Sequence, residues 1–77
     1  MTQKESEMIS SRKRFSNNLK EIREERKLSQ KVVAEKMGVP VSTYANWEQG
    51  RREPSIGDIF SLLKVLEIDA NDLFNTI

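Results

Sequence analysis

Apolar residues recur along this chain at three- and four-residue intervals broken by short polar turns, the pattern of packed helices rather than strands. Phe15, Leu19 and Ile22 make one stripe, in a helix expected to run from a cap at Ser10 or Ser11 to about Lys27. Arg23, beside that stripe, is oddly placed for a solvated charge. Val33 and Met37 mark a second helix, Gln30 to Met37, with Ser29 as its N-cap candidate. Gly38 reads as the left-handed residue that ends it, Val39 closes the turn, and Pro40 presets φ for the next start. A third helix, about Val41 to Glu48, turns Tyr44 and Trp47 to one face, and Ala34 is small where a neighbouring helix must come close. Gly50 ends it.

Ser55 and Asp58 have capping-box spacing for a fourth helix, Ile56 to Leu66. Ile59, Phe60, Leu62, Leu63 and Leu66 cover more than one of its faces, so burial is expected on two sides, one against the other helices and the second open to another subunit. Asp69 caps a last short helix, Ala70 to Phe74, and Leu73, Phe74 and Ile77 give the C-terminus an apolar edge. The first ten residues, MTQKESEMIS, hold no sustained period and read as a flexible N-terminal arm over 1–10, ahead of a single domain over 11–77.

The second and third helices with their glycine turn have the spacing of a helix-turn-helix, whose second helix is presented to the DNA major groove. With Tyr44, Trp47 and Glu48 turned inward, Ser42, Ala45, Asn46 and Gln49 fall on the outward stripe. That stripe is short-chained and uncharged, which suits a groove about 12 Å wide better than it suits a merely solvated face. Asn46 has the group for a bidentate pair with adenine, and Val41 and Ala45 have the methyls to meet thymine. A protein partner packed on the same stripe remains the alternative. Trp47 is read as core, since base stacking needs exposure.

Phosphate-contact candidates surround that helix. Ser29 and Gln30 stand at the start of the second helix, where free backbone N–H groups and the dipole favour an anion, although Ser29 is equally explained as a cap alone. Arg51 and Arg52 follow the third helix, as phosphate clamps or as solvated loop charges. Arg12, Lys13 and Arg14 oppose the dipole of the first helix, which a nearby phosphate would offset; a solvated cluster reads equally well.

Composition narrows the classes further. Seventy-seven residues make one small domain, and without cysteine or histidine there is no disulfide, no ordinary zinc site and no nucleophile with its base, so neither cofactor nor enzyme activity is expected. No run approaches the roughly 20 apolar residues of a membrane span, and no secretory signal core is present, so a cytoplasmic protein without membrane contact is expected. The net charge of +1 hides a gradient: residues 1–31 carry nine Lys/Arg against five Glu, residues 32–54 three against three, and residues 55–77 one Lys against four acids. A basic front and acidic rear suit a polyanion-binding domain, or are a chance asymmetry of solvated surfaces.

From about Phe15 to Phe74 the chain resembles the Xre/Cro-like helix-turn-helix family of phage-repressor-type domains, on the segments LSQKVVAEKMGV, STYANWEQGRREPS and LLKVLEIDANDLF. The resemblance implies an all-α, compact five-helix lambda-repressor-like fold and a homodimer on a two-fold operator in double-stranded DNA. It also implies transcriptional regulation, usually repression. It places base contacts on Val41, Ser42, Ala45 and Asn46, and backbone contacts on Gln30, Thr43, Arg51 and Arg52, to which the reading of the helix ends adds Ser29 and Gln49. It further implies a largely buried structural pair between Arg23 and Glu48. Pro40 departs from the Ser or Thr that relatives often carry as the cap of the recognition helix. The reading from a different class is a protein-interaction module of the same fold, an antitoxin, antirepressor or adaptor. A protein antagonist or partner is compatible with both.

Overall fold

The computed structural model describes residues 3–74, and the side chains of residues 13–74. Among them the chain forms five helices and no strand: α1 (Gln3–Glu25), α2 (Gln30–Met37), α3 (Val41–Glu48), α4 (Ile56–Leu66) and α5 (Ala70–Leu73). No helix is long and apolar enough to cross a membrane, and no cluster of side chains among the described residues has the makings of a metal site. The last three residues, including the Ile77 expected at the C-terminal edge, lie outside the described residues, as does the Arg12 side chain of the basic cluster.

The core draws one or two side chains from every helix. Leu19 and Ile22 of α1, Val33 and Ala34 of α2, Tyr44 and Trp47 of α3, Leu62 and Leu66 of α4, and Leu73 of α5 are buried together. Phe15, Leu28, Met37, Val39, Ile59 and Leu63 are packed around them. Phe15 stacks on Phe74 with ring centroids 5.5 Å apart, which joins α1 to the chain's end. α2 packs on both α3 and α4, while α1 lies across α3 and α5, so α3 is braced from two sides.

Four of the helices begin or end on local chemistry. The Ser29 hydroxyl accepts from the Val32 N–H at 3.1 Å. Gly38 stands at φ 73°, where an L side chain is strained, and the Val39 N–H reaches back to the Ala34 carbonyl at 3.0 Å. Reciprocal capping boxes start α4 (Ser55, Asp58) and α5 (Asp69, Asp72). α3 begins at Val41 behind Pro40, whose carbonyl accepts from the Thr43 and Tyr44 N–H groups even though its ring offers no cap.

The start of α1 differs from the expectation. Helical backbone extends from Gln3, so residues 3–10 are not an irregular arm and neither Ser10 nor Ser11 is an N-cap. The stretch contains no Gly or Pro, and nothing in it stops a helix already nucleated by the packed turns downstream. At its other end α1 stops at Glu25, two residues early, because Lys27 takes a left-handed φ of 56° and the Leu28 N–H turns back to the Arg23 carbonyl.

Candidate nucleic-acid interface

The candidate surface is the outward side of α3, and two rings set its orientation. Tyr44 is wholly enclosed and Trp47 only 3% exposed, packed edge to face at 5.9 Å between centroids. With those rings in the core, Val41, Ser42 and Gln49 are exposed, and Thr43, Ala45 and Asn46 half-buried. A helix of eight residues shows no cation or carboxylate on that face; its single charge, Glu48, is buried. Val41 is 47% exposed in the first turn.

Glu48 is held by three donors. Arg23 Nε lies 2.6 Å from Oε2 and its Nη2 3.1 Å from Oε1, a forked pair, and Gln30 Nε2 donates to Oε1 at 3.0 Å. The remaining guanidinium arm, Nη1, donates to the Leu28 carbonyl at 2.7 Å. One buried carboxylate thereby ties α1, the α1–α2 connection, α2 and α3 together. Burial by itself would raise the Glu48 pKa; the hydrogen bonds from Arg23 and Gln30, with the guanidinium charge, outweigh it and hold the carboxyl below its ordinary value. The same hydrogen bond raises the Arg23 pKa against its own partial burial. The buried Tyr44 hydroxyl faces this carboxylate outside strict hydrogen-bond geometry and, after Arg23, adds to the lowering of its pKa. Burial and the neighbouring carboxylate push its own pKa up, which keeps it neutral.

Gln30 is where the structure adds to the sequence reading. Its amide, expected to face a phosphate, donates instead to Glu48, which leaves one amide hydrogen and the oxygen for any ligand. Ser29 is engaged as the cap of α2 and stays exposed. Arg51 and Arg52 are both exposed, but their backbone is tethered: their N–H groups donate to the Asn46 carbonyl at 3.0 and 3.4 Å. Gly50, at φ 73°, makes that fold-back possible, so the backbone carrying the two exposed arginines is tied to the end of α3.

One positioning residue escaped the sequence reading. Ser16 is buried in α1 and its hydroxyl donates to the Trp47 carbonyl at 2.9 Å, tying the C-terminal turn of α3 to α1. Spacing puts Ser16 on one stripe with Leu19 and Arg23, the stripe facing α3, which signals burial but not the partner.

Comparison with known proteins agrees with this architecture. A helix-turn-helix family model matches residues 19–73. The chain is 34% identical over 59 residues to YqaE of Bacillus subtilis, an uncharacterised HTH-type transcriptional regulator. That match takes in 77% of this chain and 51% of YqaE, so the chain spans about half the length of that curated relative. Among solved structures it is similar to the restriction-modification controller protein C.AhdI of Aeromonas hydrophila, with a TM-score of 0.80 and 31% identity over 84% of this chain and 98% of that one. With motif, fold and buried pair in agreement, the chain belongs to the Xre/Cro-like helix-turn-helix family.

Proposed function

We propose that this protein is a sequence-specific DNA-binding transcriptional regulator, a repressor, that acts in the cytoplasm as a homodimer on a two-fold operator. α3 lies in the major groove, with Val41, Ser42, Ala45 and Asn46 reading base edges. Ser29, Gln30, Thr43, Gln49, Arg51 and Arg52 hold the flanking phosphates. The observation that carries the reading is the outward face of α3: small, uncharged, accessible, and bordered by two arginines whose backbone is hydrogen-bonded to that same helix. Gln30 acts mainly through Glu48, to which its amide is hydrogen-bonded. The relatives point the same way, one named a transcriptional regulator and one a controller protein.

The test is selection of bound duplexes from a random DNA pool, followed by electrophoretic shift of the selected sequence at two salt concentrations. A palindromic consensus with half-sites about one helical turn apart, and affinity falling steeply with salt, is the expected result. The exposed Val41 gives a protein-docking role its one foothold on this face. Binding that is absent or insensitive to salt would favour that role.

A further inference from the structure

Among the described residues, the Tyr44 hydroxyl is the one polar side-chain atom buried with no hydrogen-bond partner. The residue is wholly enclosed, so bulk water does not reach it. Phenylalanine would fill the same space, and a buried hydroxyl that bonds to nothing costs stability that an apolar atom would not. What the hydroxyl faces is the Glu48 cluster. Tyr44 and Glu48 stand one turn apart on α3, and the carboxylate and the Arg23 guanidinium both act on the phenol.

Glu48 already accepts two hydrogen bonds from Arg23 and one from Gln30, and Oε1 is shared between Gln30 Nε2 at 3.0 Å and Arg23 Nη2 at 3.1 Å. These donors are not equally committed. Arg23 is bound to the carboxylate by charge and fork geometry, and its remaining arm is held by the Leu28 carbonyl. Gln30 is neutral and half-buried, holds Glu48 by a single bond, and stands in the first turn of α2 beside the exposed Ser29. It is the donor that can leave without breaking an ion pair.

We infer that the Tyr44 hydroxyl is a reserve donor for Glu48: when the Gln30 amide turns to a DNA phosphate, the hydroxyl takes its place on the carboxylate. Tyr44 is then a positioning residue for that phosphate contact, acting through Glu48 without touching DNA. Were the hydroxyl absent, release of Gln30 would leave a buried carboxylate one donor short, and that loss would subtract from binding. With it, Glu48 keeps its full set of bonds, and α3 keeps its orientation, before and after the amide departs.

This rests on the reading of Gln30 as a phosphate contact, so the experiment has one arm that needs no DNA. The full chain is compared with Tyr44→Phe, Gln30→Ala and the double variant. In thermal melts Tyr44→Phe should melt no lower than the wild type, having no bond to lose, whereas in the Gln30→Ala background the same change should lower the midpoint by about 4 °C or more, because there the hydroxyl has moved onto Glu48. An equal effect in both backgrounds, zero or not, overturns the exchange. If Gln30→Ala melts too low to carry a second change, Gln30→Met, which keeps the stem of the side chain, takes its place. The second arm is electrophoretic shift on a mixed-sequence duplex at two salt concentrations. Tyr44→Phe should bind about three- to tenfold more weakly with an unchanged salt slope, since the contact it weakens is uncharged, and should cause no further loss once Gln30 is gone. Undiminished binding by Tyr44→Phe, a changed salt slope, or the same loss in both backgrounds overturns the proposed role. A wild type that binds no duplex overturns the phosphate reading of Gln30 and the link to DNA together, and the melts then decide whether hydroxyl and amide exchange on Glu48.

Discussion

The bond that orients α3 is also the one whose removal has the most calculable cost. Glu48 is 3% and Arg23 12% accessible in their side chains, so water does not take over when either partner is lost. Replacing Glu48 with Leu strands a guanidinium and the Gln30 amide; replacing Arg23 with Met leaves a buried carboxylate with Gln30 alone and deprives the Leu28 carbonyl of its donor. Each single change is expected to cost about 3–5 kcal/mol, because it leaves an uncompensated buried charge. A chain of this length has a total stability of roughly 4–12 kcal/mol, so either variant is close to unfolding at room temperature and melts at least about 12 °C lower. The double variant Arg23→Met with Glu48→Leu buries no charge and should recover most of that loss, since apolar replacements of buried pairs are often neutral.

The measurement is a double-mutant cycle by urea denaturation at pH 7, with a coupling energy of about 2 kcal/mol or more expected between the two sites. Additivity within about 0.5 kcal/mol would refute the account, and so would a Glu48→Leu variant as stable as the wild type. The first result would mean that the two side chains act independently. The second would mean that packing rather than pairing holds α1 on α3.

Three further outcomes follow from the same coordinates. Because the folded Glu48 carboxyl titrates below its ordinary value, its contribution is complete above the unfolded carboxylate pKa of 4.5 and is lost as pH falls through the depressed folded value. The wild type should therefore lose stability below about pH 4.5 more steeply than Glu48→Gln, and parallel pH profiles from chemical denaturation would contradict this. Two positive-φ positions should respond with opposite signs in thermal melts: Gly38→Ala destabilises by about 1 kcal/mol or more, whereas Glu67→Gly, at φ 55° on the end of α4, is neutral to stabilising by up to about 1 kcal/mol. In shift assays on the selected operator, Asn46→Ala should cost about 1–3 kcal/mol and relax preference at one base step, while Arg51→Ala weakens all sequences alike and lowers the salt slope by about one; equal losses on specific and random DNA for both variants would contradict these roles.

What could be read from the chain, and what could not, divides along one physical line. The bounds of α2, α3 and α4 were legible because their signals are local: Ser29 and Gly38, Pro40 and Gly50, and the Ser55–Asp58 box act on residues within one turn of themselves. The outward face of α3 was legible by elimination, since two large rings three residues apart can share only one side of a helix. The start of α1 was not, because the apolar period reports only turns that pack, and that period begins at Phe15 while the helix begins at Gln3. Nor were the roles of Gln30 and Ser16. A polar side chain on a helix looks the same in sequence whether its partner is water, a phosphate, or a group brought from eighteen or thirty-one residues away, and here the partners are Glu48 and the Trp47 carbonyl. Apolar periodicity asks only that a residue leave water and so survives ignorance of the partner, whereas a hydrogen bond is defined by it. The face of α4 shows both limits together. An excess of apolar residues predicted burial on two sides, but only the geometry shows that Ile56 and Phe60 are the ones left exposed, with a glycine between them.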